Sequence, residues 1–255
     1  MSADSAQAGQ TLDGKVFVIT GAGSGIGRAI ALACAREGAR LCLGGRTLSK
    51  VQETAEMIGP DQALAVEADV TSGSATRNLL DRAVDAFGGI DGVVANAGVM
   101  SASPPVHQFS EDIWRDAINI NLMGTIHTVS LGANLLVAQG RGGSILATGS
   151  SIAMRASPSM ATYSTSKAAV HAFMKVAALD LAPHNIRVNT LVPGTSATPP
   201  LQQVDGLLER AAAALPLGQV VSPEELGRYA AFILSDAVPH MTGAALVVDS
   251  GRTIA

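Results

Sequence analysis

The sequence predicts a single-domain, doubly wound α/β fold: a seven-stranded parallel sheet with helices on both faces. Short apolar runs alternate with helix-length stretches from Lys15 to Val248, and such alternation joins parallel strands through right-handed crossovers. The first apolar run leads straight into a glycine-rich turn and then a helix, as a nucleotide-cradling first βα unit does. No repeat, low-complexity linker or shift in composition divides the 255 residues, a length that suits one large domain better than two. Residues 1–12 are expected to form a flexible tail and residues 13–255 the folded domain.

Each element has a local reason. Lys15–Thr20 (KVFVIT) is an apolar run suited to a strand buried on both faces. Ile26–Glu37 reads as a helix closed by Gly38, and Arg40–Leu43 as the second strand. Leu48–Ile58 is helical up to Gly59-Pro60, Ala63–Val66 is the third strand, and Ser74–Phe87 is a helix stopped by Gly88-Gly89. Gly92–Ala95 forms the fourth strand and turns at Asn96-Ala97-Gly98. Glu111–Ala138 is expected to be one long helix behind a Ser110 cap. Gly143–Thr148 is the fifth strand, Thr162–Leu181 a second long helix ended by Pro183, and Ile186–Val192 the sixth strand. Pro193–Pro200 is too rich in Pro, Thr and Ser to be regular. Leu201–Ala214 and Pro223–Leu234 are helices, and Ala245–Val248 is the last strand.

Composition excludes several function classes. Hydrophobic residues make up 47% and charged ones 15%, so a large core is expected. Net charge is −4 without a basic block, which argues against nucleic-acid and anionic-membrane partners. No apolar run is expected to span a membrane, and MSADSAQAGQ lacks the features of a secretory signal. Cys34 and Cys42 lie in apolar settings and read as two buried thiols of a reduced, cytoplasmic protein. Histidines 107, 127, 171, 184 and 240 show no paired ligand spacing, so no metal site is expected. The two long helices carry more apolar surface than one sheet face buries, which implies a homotetramer or homodimer.

The chemistry concentrates between Ser150 and Lys167. Tyr163 follows Ser150 by thirteen positions and precedes Lys167 by four. On a helix, Tyr163 and Lys167 share a face. A free phenol has a pKa of about 10. A unit positive charge about 4 Å away, at an effective dielectric of about 20, is worth roughly 4 kcal/mol. One lysine is therefore enough to tune a tyrosine for general acid/base work near neutral pH. The turn itself reads Gly21-x-x-x-Gly25-x-Gly27. Placed between a strand and a helix, it offers backbone N–H groups and a helix N-terminus to a pyrophosphate. The second strand ends in Gly44-Gly45-Arg46-Thr47, where an acid would bind a free ribose 2′-hydroxyl. A guanidinium there pairs with a 2′-phosphate instead, so NADP is favoured over the alternative, NAD.

Taken together, Thr20–Gly27, Asn96-Ala97-Gly98, Asn121, Ser150 and Tyr163-x-x-x-Lys167 resemble the short-chain dehydrogenase/reductase family, from about Gly14 to Asp249. The resemblance implies a Rossmann-type fold, a nicotinamide cofactor, hydride transfer to or from a small-molecule substrate, and usually a tetramer. It makes Tyr163 the acid/base at the carbinol oxygen. Lys167 would hold the nicotinamide ribose and depress the Tyr163 pKa. Ser150 would hydrogen-bond the substrate oxygen, being preferred over Ser151 for its spacing from Tyr163 and its place at the end of the fifth strand. Asn121 would hold a water joining Lys167 to solvent. Gly21, Ser24, Gly25, Ile26 and Gly27 would receive the dinucleotide. Asp69 and Val70 would contact adenine, with helix capping as the other reading of Asp69. Asn96, Ala97 and Gly98 would line the adenine-ribose side. Pro193, Gly194, Thr195 and Thr198 would flank the nicotinamide opposite Ile26. Two departures stand out: Ser24 occupies a position often basic in NADP-preferring members, and Val-Asp-Ser-Gly replaces the usual Asp-Gly-Gly near the end, with Ser250 expected to be tolerated.

For the substrate, Met100, Ile152 and Met154 join Ser150 and Tyr163 as expected pocket residues, and Arg155 reads as solvated. These point to a neutral, largely apolar secondary alcohol or ketone. The alternative is an NADPH-dependent reductase of 3-oxoacyl thioesters of the acyl carrier protein type.

Overall fold

In the computed structural model, which describes residues 11–100 and 102–255, seven strands form one parallel sheet. They are β1 (Val16–Thr20), β2 (Arg40–Gly45), β3 (Ala63–Glu67), β4 (Gly92–Ala95), β5 (Gly143–Thr148), β6 (Ile186–Pro193) and β7 (Ala245–Val248). The order across the sheet is β3-β2-β1-β4-β5-β6-β7. The chain reverses its direction of winding between β1 and β4, and a crevice opens at the carboxyl ends of those strands.

Alternate residues of each strand feed two cores. Phe17 and Ile19 of β1 face α1 (Gly25–Arg36) and the later α9 (Pro223–Leu234), with Ile30, Leu226 and Ile233. Val16 and Val18 face the other side, with Leu79 of α3 (Gly73–Phe87) and Val129 and Leu136 of a long helix after β4. Val170 and Met174 of the helix after β5 complete that layer. Cys34 and Cys42 fall in different cores, one on each side of the sheet. Both are free and fully buried, and burial pushes each thiol up to about 12, so neither is a nucleophile at ordinary pH. Between β2 and β3 the chain forms α2 (Leu48–Ile58).

Four sequence expectations need correction. The fold begins before Asp13, because Leu12 is fully buried and its N–H donates to Glu37 O at 2.9 Å; residues 1–10 of the expected tail lie outside the described residues. The long helix predicted over 111–138 is interrupted: α4 (Glu111–Ala117) runs into a π-helical segment, Ile118–Met123, and then α5 (Gly124–Gln139). Taken as a whole, Glu111–Gln139 is long and apolar enough to cross a membrane, contrary to expectation, yet Val129, Ala133 and Leu136 lie in the core. The helix after β5 is α6 (Ala161–Leu181), as expected to within a residue. The helix predicted over 201–214 is instead two short ones, α7 (Pro199–Gln202) and α8 (Leu207–Ala213), split at Gly206, which has φ +63°.

Candidate active site

At the carboxyl end of β5 the chain leaves the sheet and returns through α6, and this return assembles the predicted pair. Lys167 is only 4% exposed. Its Nζ donates to Thr148 O at 2.8 Å and lies 6.0 Å from the Tyr163 ring centroid. Burial lowers the Lys167 pKa to about 8. Burial raises the Tyr163 phenol above its ordinary value, and a hydrogen bond with the Ser150 side chain opposes that rise. Burial outweighs what lowers it, so the Tyr163 phenol is raised overall, where the sequence led to the expectation of a depressed one. Ser150 caps a short 3₁₀ turn, Ser151–Ala153, its Oγ accepting from Ile152 N at 3.3 Å. The Ser150 N–H donates to His171 Nε2 at 3.3 Å.

Asn121 sits in the π-helical segment and is fully buried. Its Oδ1 accepts from Val99 N at 2.8 Å, and its Nδ2 donates to Val99 O at 3.0 Å and Ser166 Oγ at 3.1 Å. It thus ties the strand-end turn to α6 from behind. A Cβ added to Gly98 would lie 3.1 Å from Asn121 Oδ1 and 3.5 Å from Lys167 Nζ, so Gly98 marks where the three meet.

The glycine turn answers partly to the protein's own packing. A Cβ on Gly27 would fall 2.1 Å from Gly21 O and 2.4 Å from Asn96 Nδ2, and one on Gly21 would fall 2.8 Å from Ala97 Cα. Asn96 in turn donates to Thr20 O and Gly21 O and accepts from Thr148 Oγ1 at 3.0 Å, locking the three strand ends together. Gly25 differs. It has φ +53°, and its nearest neighbour for an added Cβ is Thr198 Cγ2 at 3.4 Å, so that space belongs to the cleft.

A cleft of about 700 Å³ runs across these parts. Gly21, Ser24, Gly25 and Ile26 line it at the turn, whereas Gly27 does not, being buried in the packing just described. Arg46 is exposed on its wall at the end of β2. Asp69, Val70, Asn96, Ala97 and Gly98 form the next stretch. Asp69 Oδ1 accepts from Thr71 N and Thr71 Oγ1, while the cap of α3 is Ser72, so the capping reading of Asp69 is excluded. Pro193, Gly194, Thr195 and Thr198 border the cleft after β6, and Ser150, Ile152, Tyr163, Lys167 and Met100 close the far end. Asn121 lies behind the wall, not on it. Met154 is 56% exposed and outside the cleft, because the 3₁₀ turn directs it outward.

Two lining cations escaped sequence reasoning. Lys50, on the first turn of α2, lies against the glycine turn: a Cβ on Gly23 would be 3.0 Å from Lys50 Cβ. A cation in the first turn opposes the helix dipole, which is the signal that could have found it. Arg252, from beyond β7, enters the substrate end. No sequence periodicity points to it.

The comparisons agree with this geometry. A family profile described as "Enoyl-(Acyl carrier protein) reductase" matches residues 21–253. An L-rhamnose 1-dehydrogenase (NAD(P)(+)) of Azotobacter vinelandii is 36% identical over 251 residues, covering 93% of this chain and 96% of that protein. The chain belongs to the short-chain dehydrogenase/reductase family. A short-chain type dehydrogenase/reductase from Mycobacterium marinum superposes with a TM-score of 0.90 at 35% identity, covering 97% of this chain and 98% of that one. A 3-ketoacyl-(acyl-carrier-protein) reductase from Brucella melitensis, solved with NADH, gives 0.88 at 32% identity, with 95% and 100% covered. As a short-chain dehydrogenase/reductase, this chain is a nicotinamide-dependent oxidoreductase of CH–OH groups. The side-chain-free space at Gly25 and the buried ammonium beyond it suit a dinucleotide laid from the turn toward Lys167. Among the described residues no His, Cys, Asp and Glu group could hold a metal ion.

Proposed function

We propose that this enzyme interconverts a secondary alcohol and its ketone, with Tyr163 as general acid/base and NADP preferred over NAD. The observation that carries the reading is the junction at the end of β5. There Ser150, Tyr163 and, one helical turn on, a buried Lys167 line one end of a cleft that continues to the glycine turn.

When bound, the nicotinamide accepts or supplies the hydride. The turn residues would hold the pyrophosphate with backbone N–H groups, and Lys167 would hold the neighbouring ribose. The Ser150 hydroxyl hydrogen-bonds the substrate oxygen and orients it. The Tyr163 hydroxyl exchanges its proton at that oxygen, a contribution of about 10²–10⁴ in rate. Asn121 braces the route by which Lys167 exchanges protons with solvent. Arg46, joined by Lys50 on the same wall, supports the choice of a 2′-phosphate and offsets the missing basic residue at Ser24. Met100, Ile152, Met160 and Leu201 line the substrate end and support a largely apolar substrate body. Buried thiols on opposite sides of the sheet support a reducing, cytoplasmic setting. Val176 and Leu179, 55% and 76% exposed on α6, support a homotetramer or homodimer.

A fluorescence titration of NADPH against NADH tests the cofactor assignment, with tighter NADPH binding and a reversed order in Arg46→Asp as the expected result. Equal affinities in the unaltered protein would sink it. The likeness to the Brucella reductase favours a second reading, reduction of 3-oxoacyl thioesters. Turnover of such thioesters in preference to simple secondary alcohols would select it.

A further inference from the structure

We infer that Arg252 is the substrate-recognising cation of the cleft and that the substrate carries a carboxylate at the end remote from its carbinol. The inference rests on the dehydrogenase reading and gives it a substrate class, a hydroxy acid or the matching oxo acid.

The tail is shaped to deliver this side chain. Beyond β7, Asp249 Oδ1 accepts from Gly251 N at 2.9 Å and Oδ2 from Thr253 N at 2.8 Å. Ser250 and Gly251 both adopt positive φ, +55° and +86°, which turns the chain back on itself. Ser250 O accepts from Leu217 N at 3.2 Å, and a Cβ on Gly251 would lie 2.8 Å from Pro216 Cγ, so the turn is held from outside as well. Arg252 is thereby fixed on the cleft wall beside Ser151.

The groups that its guanidinium hydrogen-bonds are neutral. Nη1 donates to Ser151 Oγ at 3.4 Å, and Nη2 to Arg155 O at 3.0 Å and Ser157 Oγ at 2.8 Å. Both Asp249 oxygens are engaged by backbone N–H groups. Among the described residues no ion pair satisfies Arg252. Burial first, then the like charge of Arg155, disfavours the charged form of Arg252, with Asp249 opposing them; Arg155 also donates to Arg252 O at 2.6 Å. A guanidinium has five N–H donors; both on Nη2 and one on Nη1 are engaged, which leaves the second Nη1 hydrogen and the Nε hydrogen, each able to donate singly. A cation on the cleft wall, held by hydroxyls and a carbonyl and in no direct ion pair among the described residues, keeps a donor to offer a carboxylate oxygen in a charge-assisted hydrogen bond. Ser151 joins the two ends of the argument: it bonds Arg252 and adjoins Ser150, the serine bonded to Tyr163.

The test uses the purified full chain, NADP⁺, and a series of hydroxy acids (3-hydroxybutyrate, 4-hydroxypentanoate, 5-hydroxyhexanoate) with their methyl esters. The readout is the acid-to-ester ratio of kcat/KM. For at least one chain length the ratio is expected to exceed tenfold, to collapse toward one in Arg252→Gln and to persist in part in Arg252→Lys. A tail that only holds the cleft together would lower acid and ester alike and leave the ratio unchanged in Arg252→Gln, which overturns the assignment. Oxidation of the esters with no acid preference at any length overturns it too, while leaving the dehydrogenase reading intact. Failure to bind NADPH in the titration above would overturn both.

Discussion

Lys167 Nζ points at the carbonyl of Thr148, 2.8 Å away, while the Ser150 side chain acts on the Tyr163 hydroxyl and lowers its pKa against the rise from burial. Two groups on one helix face are thus held by two different residues of the strand end. The lysine pays in stability for its place: its lowered pKa means that the fold disfavours its charge.

Replacing Lys167 with Met is expected to abolish turnover and raise the melting temperature. The depression from 10.5 to about 8 corresponds to roughly 3 kcal/mol at neutral pH. Losing the bond to Thr148 O returns about 1 kcal/mol of that. A net gain of about 2 kcal/mol corresponds to roughly 4–8 °C for a chain of this size. The sign is checked by pH: the unfolded lysine keeps its proton up to about 10.5 and the folded one only to about 8. Stability of the unaltered protein therefore rises between those values and that of Lys167→Met does not. Calorimetry from pH 7 to 10.5 measures both.

His171 positions Ser150. Its Nε2 accepts from the Ser150 N–H at 3.3 Å, so the ring proton must sit on Nδ1. Burial first, then Lys167 and Lys175, lower its pKa. The acceptor is therefore intact at and above pH 6.5 and is lost only as pH falls further. His171→Gln, which keeps an acceptor that does not titrate, is expected to flatten the acid limb of kcat. His171→Phe is expected to lower kcat about tenfold at every pH with little change in KM. An unaltered acid limb in His171→Gln would remove the residue from this role.

Gly25 and Gly27 separate ligand space from packing space. Gly27→Ala drives a methyl into Gly21 O and is expected to cost about 3 kcal/mol or more, or prevent folding. Gly25→Ala meets nothing closer than 3.4 Å and pays chiefly for its φ, about 1–2 kcal/mol. It should fold and yet bind NADPH at least tenfold more weakly. Melting curves and a cofactor titration on the pair distinguish the two.

Lys50→Glu is expected to weaken NADPH at least fivefold with NADH nearly unchanged, and the difference should shrink as salt rises, because Lys50 is exposed. Equal losses for both dinucleotides would exclude a 2′-phosphate contact.

Most of the sheet was legible because parallel strands buried on both faces are mostly apolar, as β1 is up to Thr20, β4 throughout and β5 at Ile145–Ala147. The proposed catalytic trio, Ser150, Tyr163 and Lys167, was legible because its spacing is local: one helical turn plus one strand-to-helix return. The π-helical segment was not, since Ile118–Met123 continues the apolar pattern and one extra residue in a turn leaves no compositional trace. Arg252 escaped for another reason. Its position depends on a left-handed pair at Ser250 and Gly251, and on Leu217 and Pro216 lying against that pair, contacts that only the folded chain defines. Met154, expected in the cleft, is exposed because the 3₁₀ turn Ser151–Ala153 carries the chain outward, a turn the sequence does not announce.

Cys34 and Cys42 lie across the sheet from each other, one in each layer, so the chain carries two built-in timers. A thiol reagent reaches either sulfur only when that half of the molecule opens. With one cysteine at a time changed to serine, labelling rates would report the α1–α9 side and the α3–α5–α6 side separately. Added dinucleotide, seated where the two halves meet, should slow both clocks.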